Sequence, residues 1–372
     1  MNQNQPFNPN QRGNSFSDKF TGRQLTIIAV SIAAVFVVMG LVTWSAGSSD
    51  DSSDSSKTLV VDDKDGSDEK GHRYKFGEGD DRSEGQQEAD SVVVNQPIEG
   101  DPYKELDELI GLEGVKQEVR SLANFVKVQK MREQKGLKSP KLSYHLVFTG
   151  SPGTGKTTVA RIVARIYKDL GILKKGHLVE TDRSGLIGQY VGQTAPRVNA
   201  VCDSALNGVL FIDEAYAITQ SESSNDYGAE AVATLVKRME DDRDRLVVIV
   251  AGYTNEMKKF IDANPGLRSR FNRYINFPDY TPTELYDIFR LYLRKNEYTI
   301  TKEAATFLRE KLDDVVKNKT RNFGNARYVR NVFEKAIQAQ ANRVAKEKDV
   351  NDRELVEIKL ADVRQALLEV QP

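Results

Sequence analysis

Gly150, Ser151, Pro152, Gly153, Thr154, Gly155, Lys156 and Thr157 follow the pattern G-x-x-x-x-G-K-[ST]. At that spacing a short loop turns its backbone N–H groups inward around phosphate oxygens, and the helix that follows adds partial positive charge. Lys156 is then placed to reach the β- and γ-phosphates of a nucleotide, and the Thr157 hydroxyl to ligate Mg²⁺. Farther along, the apolar run "GVLFI" ends in Asp213-Glu214. Two carboxylates there suit two roles. Asp213 holds the Mg²⁺ shell, and Glu214 polarises a water for attack on the γ-phosphate. An Asp-Glu pair argues for hydrolysis rather than passive binding. Arg268 and Arg270, in "NPGLRSRF", supply permanently charged planar groups that pair well with phosphate oxygens.

These residues need a scaffold. "HLVFT", "GVLFI" and "RLVVIVAGY" read as buried strands separated by helical patterns, which predicts a parallel sheet with helices on both faces. After the loop, Val159, Ile162, Val163, Ile166 and Leu170 recur on one side of a helix, as amphipathic packing requires. Ligands of such sheets sit at the carboxyl ends of the strands, where the loop, Asp213-Glu214 and the "GYTN" turn all fall. Thr254, or its neighbours Tyr253 and Asn255, is placed to set a polar group beside the attacking water. Arg268 and Arg270 lie on the far side of this domain, so a neighbouring subunit's γ-phosphate is their natural target in a head-to-tail ring. From Thr281 onward the pattern is helical with no strand signal. Thr281, Pro282 and Glu284 form an N-cap signature.

Ahead of this lies different material. Residues 1–23 are polar. Leu25 to Trp44 carry no charge, and at ~1.5 Å per residue about 20 residues cross a ~30 Å hydrocarbon layer. A transmembrane helix is expected at 24–46. Residues 47–100 are acidic and rich in Ser and Gly, a composition that buries too little apolar surface to fold. They read as a disordered tether, with "SVVV" and "TLVV" too short to alter that. Arg12, Lys19 and Arg23 precede the span and favour a cytoplasmic N-terminus. The nucleotide motifs require ATP, so the expectation is a single-pass cell-membrane protein with its nucleotide domain in the cytoplasm.

The 372 residues have room for two folded units and these extras, and a net charge of −1 with 29% charged residues argues against a dedicated nucleic-acid binder. One cysteine, Cys202, excludes an intramolecular disulfide, and three histidines far apart give no metal-ligand spacing.

In order, "LIGLEGVK", "FTGSPGTGKTT", "GQYVGQTA", "GVLFIDEAY", "VIVAGYTNEM", "NPGLRSRFN", "FPDY" and "FGNARYVRN" resemble the AAA+ ATPases of the CbxX/CfqX group, over residues 101–372. The resemblance implies an αβα P-loop domain at 101–278 and a helical lid at 279–372. Gly150–Thr158 would be its Walker A, including Thr158, and Val209–Glu214 its Walker B. Ile110-Gly111-Leu112 would line an adenine pocket, and sensor 1 would fall near Thr254. Arg270, with Arg268 second, would be the arginine finger, and Arg327 of "GNAR" the lid's sensor 2. Tyr190-Val191-Gly192 would be the pore loop that grips an extended polypeptide. A homo-hexamer using ATP and Mg²⁺ on a protein substrate, without nucleic acid, is implied. Two other readings are open: an ATP-dependent switch or scaffold that threads nothing, and a helicase or clamp loader, which the charge balance opposes.

Overall fold

Strands covered on both faces are continuous apolar runs, and the centre of this sheet is built of them. The computed structural model describes residues 72–73 (backbone only), 92–97, 99–138, 143–220 and 227–372. The tail at 1–23, the expected membrane helix at 24–46 and most of the acidic segment lie outside the described residues. Among the described residues no helix is long and apolar enough to cross a membrane.

The elements in chain order are β1 (His72–Arg73), β2 (Val93–Asn95), α1 (Pro102–Glu108), α2 (Glu113–Gln134), β3 (Leu146–Gly150), α3 (Lys156–Asp169), β4 (Leu178–Thr181), α4 (Arg183–Leu186), α5 (Thr194–Ser204) and β5 (Gly208–Ile212). A 3₁₀ turn (Ala215–Thr219), α6 (Gly228–Asp241), β6 (Leu246–Gly252), α7 (Thr254–Asp262), α8 (Pro265–Arg270) and β7 (Tyr274–Phe277) follow. The C-terminal part comprises α9 (Pro282–Lys295), β8 (Thr299–Ile300), α10 (Lys302–Lys317), α11 (Ala326–Val344), α12 (Asp352–Val356), β9 (Glu357–Ile358) and α13 (Leu360–Glu369).

The sheet order is β1-β2-β4-β5-β6-β3-β7, with β3 to β7 all parallel. The phosphate-loop strand β3 therefore lies between β6 and β7, with Phe148 level with both Ala251 and Ile275. Side chains alternate across the strands. Leu146, Phe148, Phe211 and Ile249 join one apolar core with α2 and α3, while Val147, Leu210 and Val248 join a second with α5 to α8. The first core runs on without a break into the C-terminal helices, through Leu285, Phe289, Leu308, Val332 and Phe333.

Three expectations are corrected. The parallel sheet has five strands, not three. β4 and β7 give no clear strand signal because each is only four residues long and is interrupted by a polar residue, Glu180 in the mostly buried β4 and Asn276 in β7, whose burial alternates. The tether does not stay unfolded to residue 100: Val93–Asn95 pairs antiparallel with Leu178–Glu180, and Val92 and Val94 are buried. A three-residue strand is too short to stand alone, and the sheet edge supplies its hydrogen bonds. The lid is not wholly helical, since β8 and β9 pair in parallel. The N-cap reading at Thr281 holds as a capping box: Thr281 Oγ1 accepts from Glu284 N–H at 3.3 Å, and Glu284 Oε2 accepts from Thr281 N–H at 2.7 Å.

Candidate functional site

The loop between β3 and α3 turns on glycine. Gly153 has φ 69° and Gly155 φ 92°. A Cβ on Gly153 would stand 2.1 Å from the Gly324 carbonyl oxygen, so no other residue fits against that backbone. Thr154 is buried and donates from Oγ1 to Ser151 O at 2.8 Å, closing the loop on itself. Lys156 Nζ donates to Gly150 O at 3.0 Å and Ser151 O at 2.8 Å. Burial pushes the Lys156 ammonium below the ordinary lysine value, and the carboxylates of Asp213 and Glu214 oppose that push. A desolvated cation beside an inward-facing loop is suited to an anionic ligand.

A cleft of about 240 Å³ opens over this loop. Its floor is Gly150, Pro152, Gly153, Gly155 and Lys156, with Thr157 and Thr158 at the start of α3. Asp213 and Glu214 close one side. Asp213 N–H donates to Thr181 O at 2.9 Å, which seats the carboxylate at the end of β5. Glu214 adopts left-handed φ 47°, a cost of about 1–2 kcal/mol for an L residue. It begins the 3₁₀ turn, and its N–H donates to Asp213 Oδ1 at 3.0 Å. Nearby Glu180 is raised by burial, against the lowering effect of its partner Arg161 at 3.3 Å.

The lid forms the other wall. Ala326 and Arg327 line the cleft, and Ala326 N–H donates to Gly153 O at 3.1 Å. Arg330 and Tyr292 line it too, and neither is given a role from the sequence, although Arg330 stands within "FGNARYVRN". Arg330 stands about one helical turn beyond Arg327, and that spacing is a usable signal. Tyr253 lines the same cleft, whereas Thr254 and Asn255 line an adjoining recess with Ser151. Of the three candidates at this turn, Tyr253 is the one that lines the cleft. Ile110 packs on the core, and Gly111 lies against Glu284. Neither lines the phosphate cleft, although Leu112 Cδ1 would lie 3.6 Å from a Cβ on Gly155.

Arg268 and Arg270 stay outside the cleft. Ser143, just before β3, donates from Oγ to Arg270 O at 2.6 Å, which places this pair at the opposite end of the strand from the loop. Arg270 contacts Glu240 at 3.3 Å, and Arg268 contacts Asp262 at 3.4 Å. Their side chains are 22% and 59% exposed, so Arg270 is the better held. Tyr190 and Val191 are 68% and 84% exposed, and a Cβ added at Gly192, which has φ 82°, would meet nothing within 4 Å beyond its chain neighbours.

A phosphate loop, a strand-end Asp-Glu pair and a lid wall carrying two arginines define a P-loop ATPase. The model of the ATPase family associated with various cellular activities (AAA) matches residues 146–279, and the AAA lid domain matches 281–372. The ribulose bisphosphate carboxylase/oxygenase activase of Cyanidioschyzon merolae is 44% identical over 263 residues, 70% of this chain and 89% of that one. Stage V sporulation protein K of Bacillus subtilis is 41% identical over 262 residues, 70% and 81% of the two chains. The crystal structure of the FIGL-1 AAA domain shares the fold, with TM-score 0.51 and 20% identity over 76% of this chain and 87% of that one. The chain belongs to the CbxX/CfqX group of AAA+ ATPases and is an ATP-hydrolysing enzyme.

Proposed function

We propose that this is a membrane-anchored, ring-forming ATPase that uses ATP hydrolysis to remodel a protein substrate through a central pore. The single observation that carries this reading is the loop at Gly188–Gly192. It presents Tyr190 and Val191 to solvent, where an aromatic-aliphatic pair has no packing role in the protomer. An exposed aromatic flanked by glycines is suited to gripping extended polypeptide. A relative named as an activase of another enzyme supports protein as the substrate class.

In the cleft, Lys156 and the loop amides bind the β- and γ-phosphates, and Arg327 meets the γ-phosphate from the lid. Glu214 takes the proton of the attacking water. Thr157 and Asp213 are hard oxygen donors on one cleft and fit Mg²⁺, which keeps several water and phosphate ligands and needs few from protein. When bound it supplies charge neutralisation between the phosphates. Arg270, held by Glu240 at the far end of β3, serves a neighbouring subunit's γ-phosphate, with Arg268 behind it. A hexamer fits this head-to-tail use. The uncharged run at 24–46 anchors the chain, with the ATPase on the cytoplasmic side where ATP is supplied.

The test uses the full chain with casein as an unfolded polypeptide. Tyr190→Ala should keep basal ATP hydrolysis within about 2-fold and lose its stimulation by casein. Stimulation equal to wild type would overturn the threading reading and favour a nucleotide-dependent switch.

A further inference from the structure

Asn325 stands directly before α11 and two residues before Arg327. It is fully buried at φ 47° and ψ −119°, a backbone conformation that L residues avoid. An asparagine at a helix N-cap ordinarily accepts from the amides of its own first turn. Asn325 makes no such bond. Its side chain points to three other segments instead. Oδ1 accepts from Tyr280 N–H at 3.0 Å. Nδ2 faces Asp279 Oδ1 at 2.9 Å, Phe323 O at 3.1 Å and Pro152 O at 3.3 Å. Pro152 is in the phosphate loop, and Asp279-Tyr280 lies in the short segment by which the chain leaves β7 for the lid. Asp279 is itself held by Lys319 and by Ser151 of the same loop. The following residue continues the contact, since Ala326 N–H donates to Gly153 O.

We propose that Asn325 is a positioning residue for ATP hydrolysis. It ties the phosphate loop, the sheet-to-lid segment and the start of α11 into one geometry. Arg327 is thereby held over the cleft, and a shift of the loop on phosphate release is passed to the lid. The inference rests on the reading of Arg327 as the lid's phosphate-facing arginine. A buried amide that abandons its own helix to join loop and lid has no simpler role. A cap would serve α11 better, and glycine would relieve the backbone.

The test is a double-mutant cycle on the full chain, with ATP hydrolysis, nucleotide binding and thermal melting measured for Asn325→Gly, Arg327→Ala and the pair. Glycine accepts the positive φ, so the exchange removes the side-chain bonds without straining the backbone. Asn325→Gly should lower kcat about 10–100-fold with ATP KM changed by less than about 3-fold. The double variant should be no slower than Arg327→Ala alone, because Asn325 acts through Arg327. Multiplied defects in the double variant would overturn the positioning role and leave that of Arg327 standing. An unchanged kcat in Arg327→Ala would instead remove the reading on which the inference rests. Asp279→Leu, which deletes the acceptor of Nδ2 and keeps nearly the same size, should repeat the kcat defect and its non-additivity. It decides the matter if Asn325→Gly does not fold.

Discussion

Two glycine-bearing loops lie beyond the carboxyl ends of strands in one sheet, and they are built in opposite ways. The Gly150–Thr157 loop is enclosed. A Cβ on Gly150 would stand 2.2 Å from Phe277 O, Gly153 is pressed by Gly324 O, and Ser151 and Gly153 carbonyls are both used as acceptors. The loop holding Tyr190 and Val191 is open at its tip, where Gly192 has free space around it. Its base is fixed: Thr194 is buried, its Oγ1 accepts from Gly188 N–H at 3.2 Å, and Arg197 donates to Ile187 O at 2.9 Å. Glycine is compulsory in the first loop because backbone from other segments occupies the side-chain position. At the tip of the second it only permits a turn. One loop is shaped to hold a ligand still, and the other to present side chains to something outside the protomer.

The largest effect should separate chemistry from binding within the enclosed loop's cleft. Glu214→Gln should slow phosphate release about 10²–10⁴-fold while ATP binding, measured by equilibrium titration, stays near wild type. Loss of binding together with turnover would mean that the carboxylate holds the cleft rather than serving the reaction. The profile of Tyr190→Ala should be the reverse, with turnover kept and the response to polypeptide lost.

Acid should weaken the support of the enclosed loop. His145 sits at the amino end of β3, where Nδ1 accepts from Val248 N–H at 2.9 Å. Burial lowers its pKa to about 4 from the ordinary value of 6.5. The unfolded chain therefore takes up the proton first. This contribution to stability is complete above about pH 6.5 and is lost as the pH falls towards about 4, reaching about 3 kcal/mol. Urea unfolding of the full chain should show the loss between about pH 7 and about pH 5, and His145→Asn should flatten the slope there. An equal slope in that variant would place the titrating group elsewhere.

The smallest expected effects set the two loops against each other directly. Gly153→Ala should raise ATP KM by about 10-fold or more, because Gly324 O must move away and the lid contact opens. Gly192→Ala should cost about 1–2 kcal/mol of local backbone strain and leave ATP hydrolysis within about 2-fold. Equal effects at the two glycines would break the distinction between an enclosed and an open loop.

Much of the cleft is legible in the chain. Gly150 to Thr157 is contiguous, so its type order implies its backbone path, and Asp213-Glu214 announces itself at the end of an uninterrupted apolar strand. The strands β4 and β7 are not legible. In "LVET" and "YINF" a polar residue faces outward, and four residues carry too little periodicity to decide. Val93–Asn95 looks like part of a polar tether because its partner, Leu178–Glu180, lies far along the chain. Asn325 gives no local signal at all, since an asparagine before a helix normally means a cap.

Local chemistry was enough for the phosphate loop, the strand-end carboxylates, the N-cap at Thr281, and the type and order of the two arginines in "NPGLRSRF". Backbone geometry over a few residues and the character of their side chains suffice for these. Which distant segments meet was settled only by the folded chain. It set the lid at Gly324–Arg327 directly on Pro152 and Gly153, brought Tyr253 rather than Thr254 to the cleft, and held Arg270 against Glu240 at the opposite end of β3. Such meetings follow from the packing of the two apolar cores on either face of one sheet. No short stretch of residues encodes that packing, because each contact depends on side chains contributed by many elements at once.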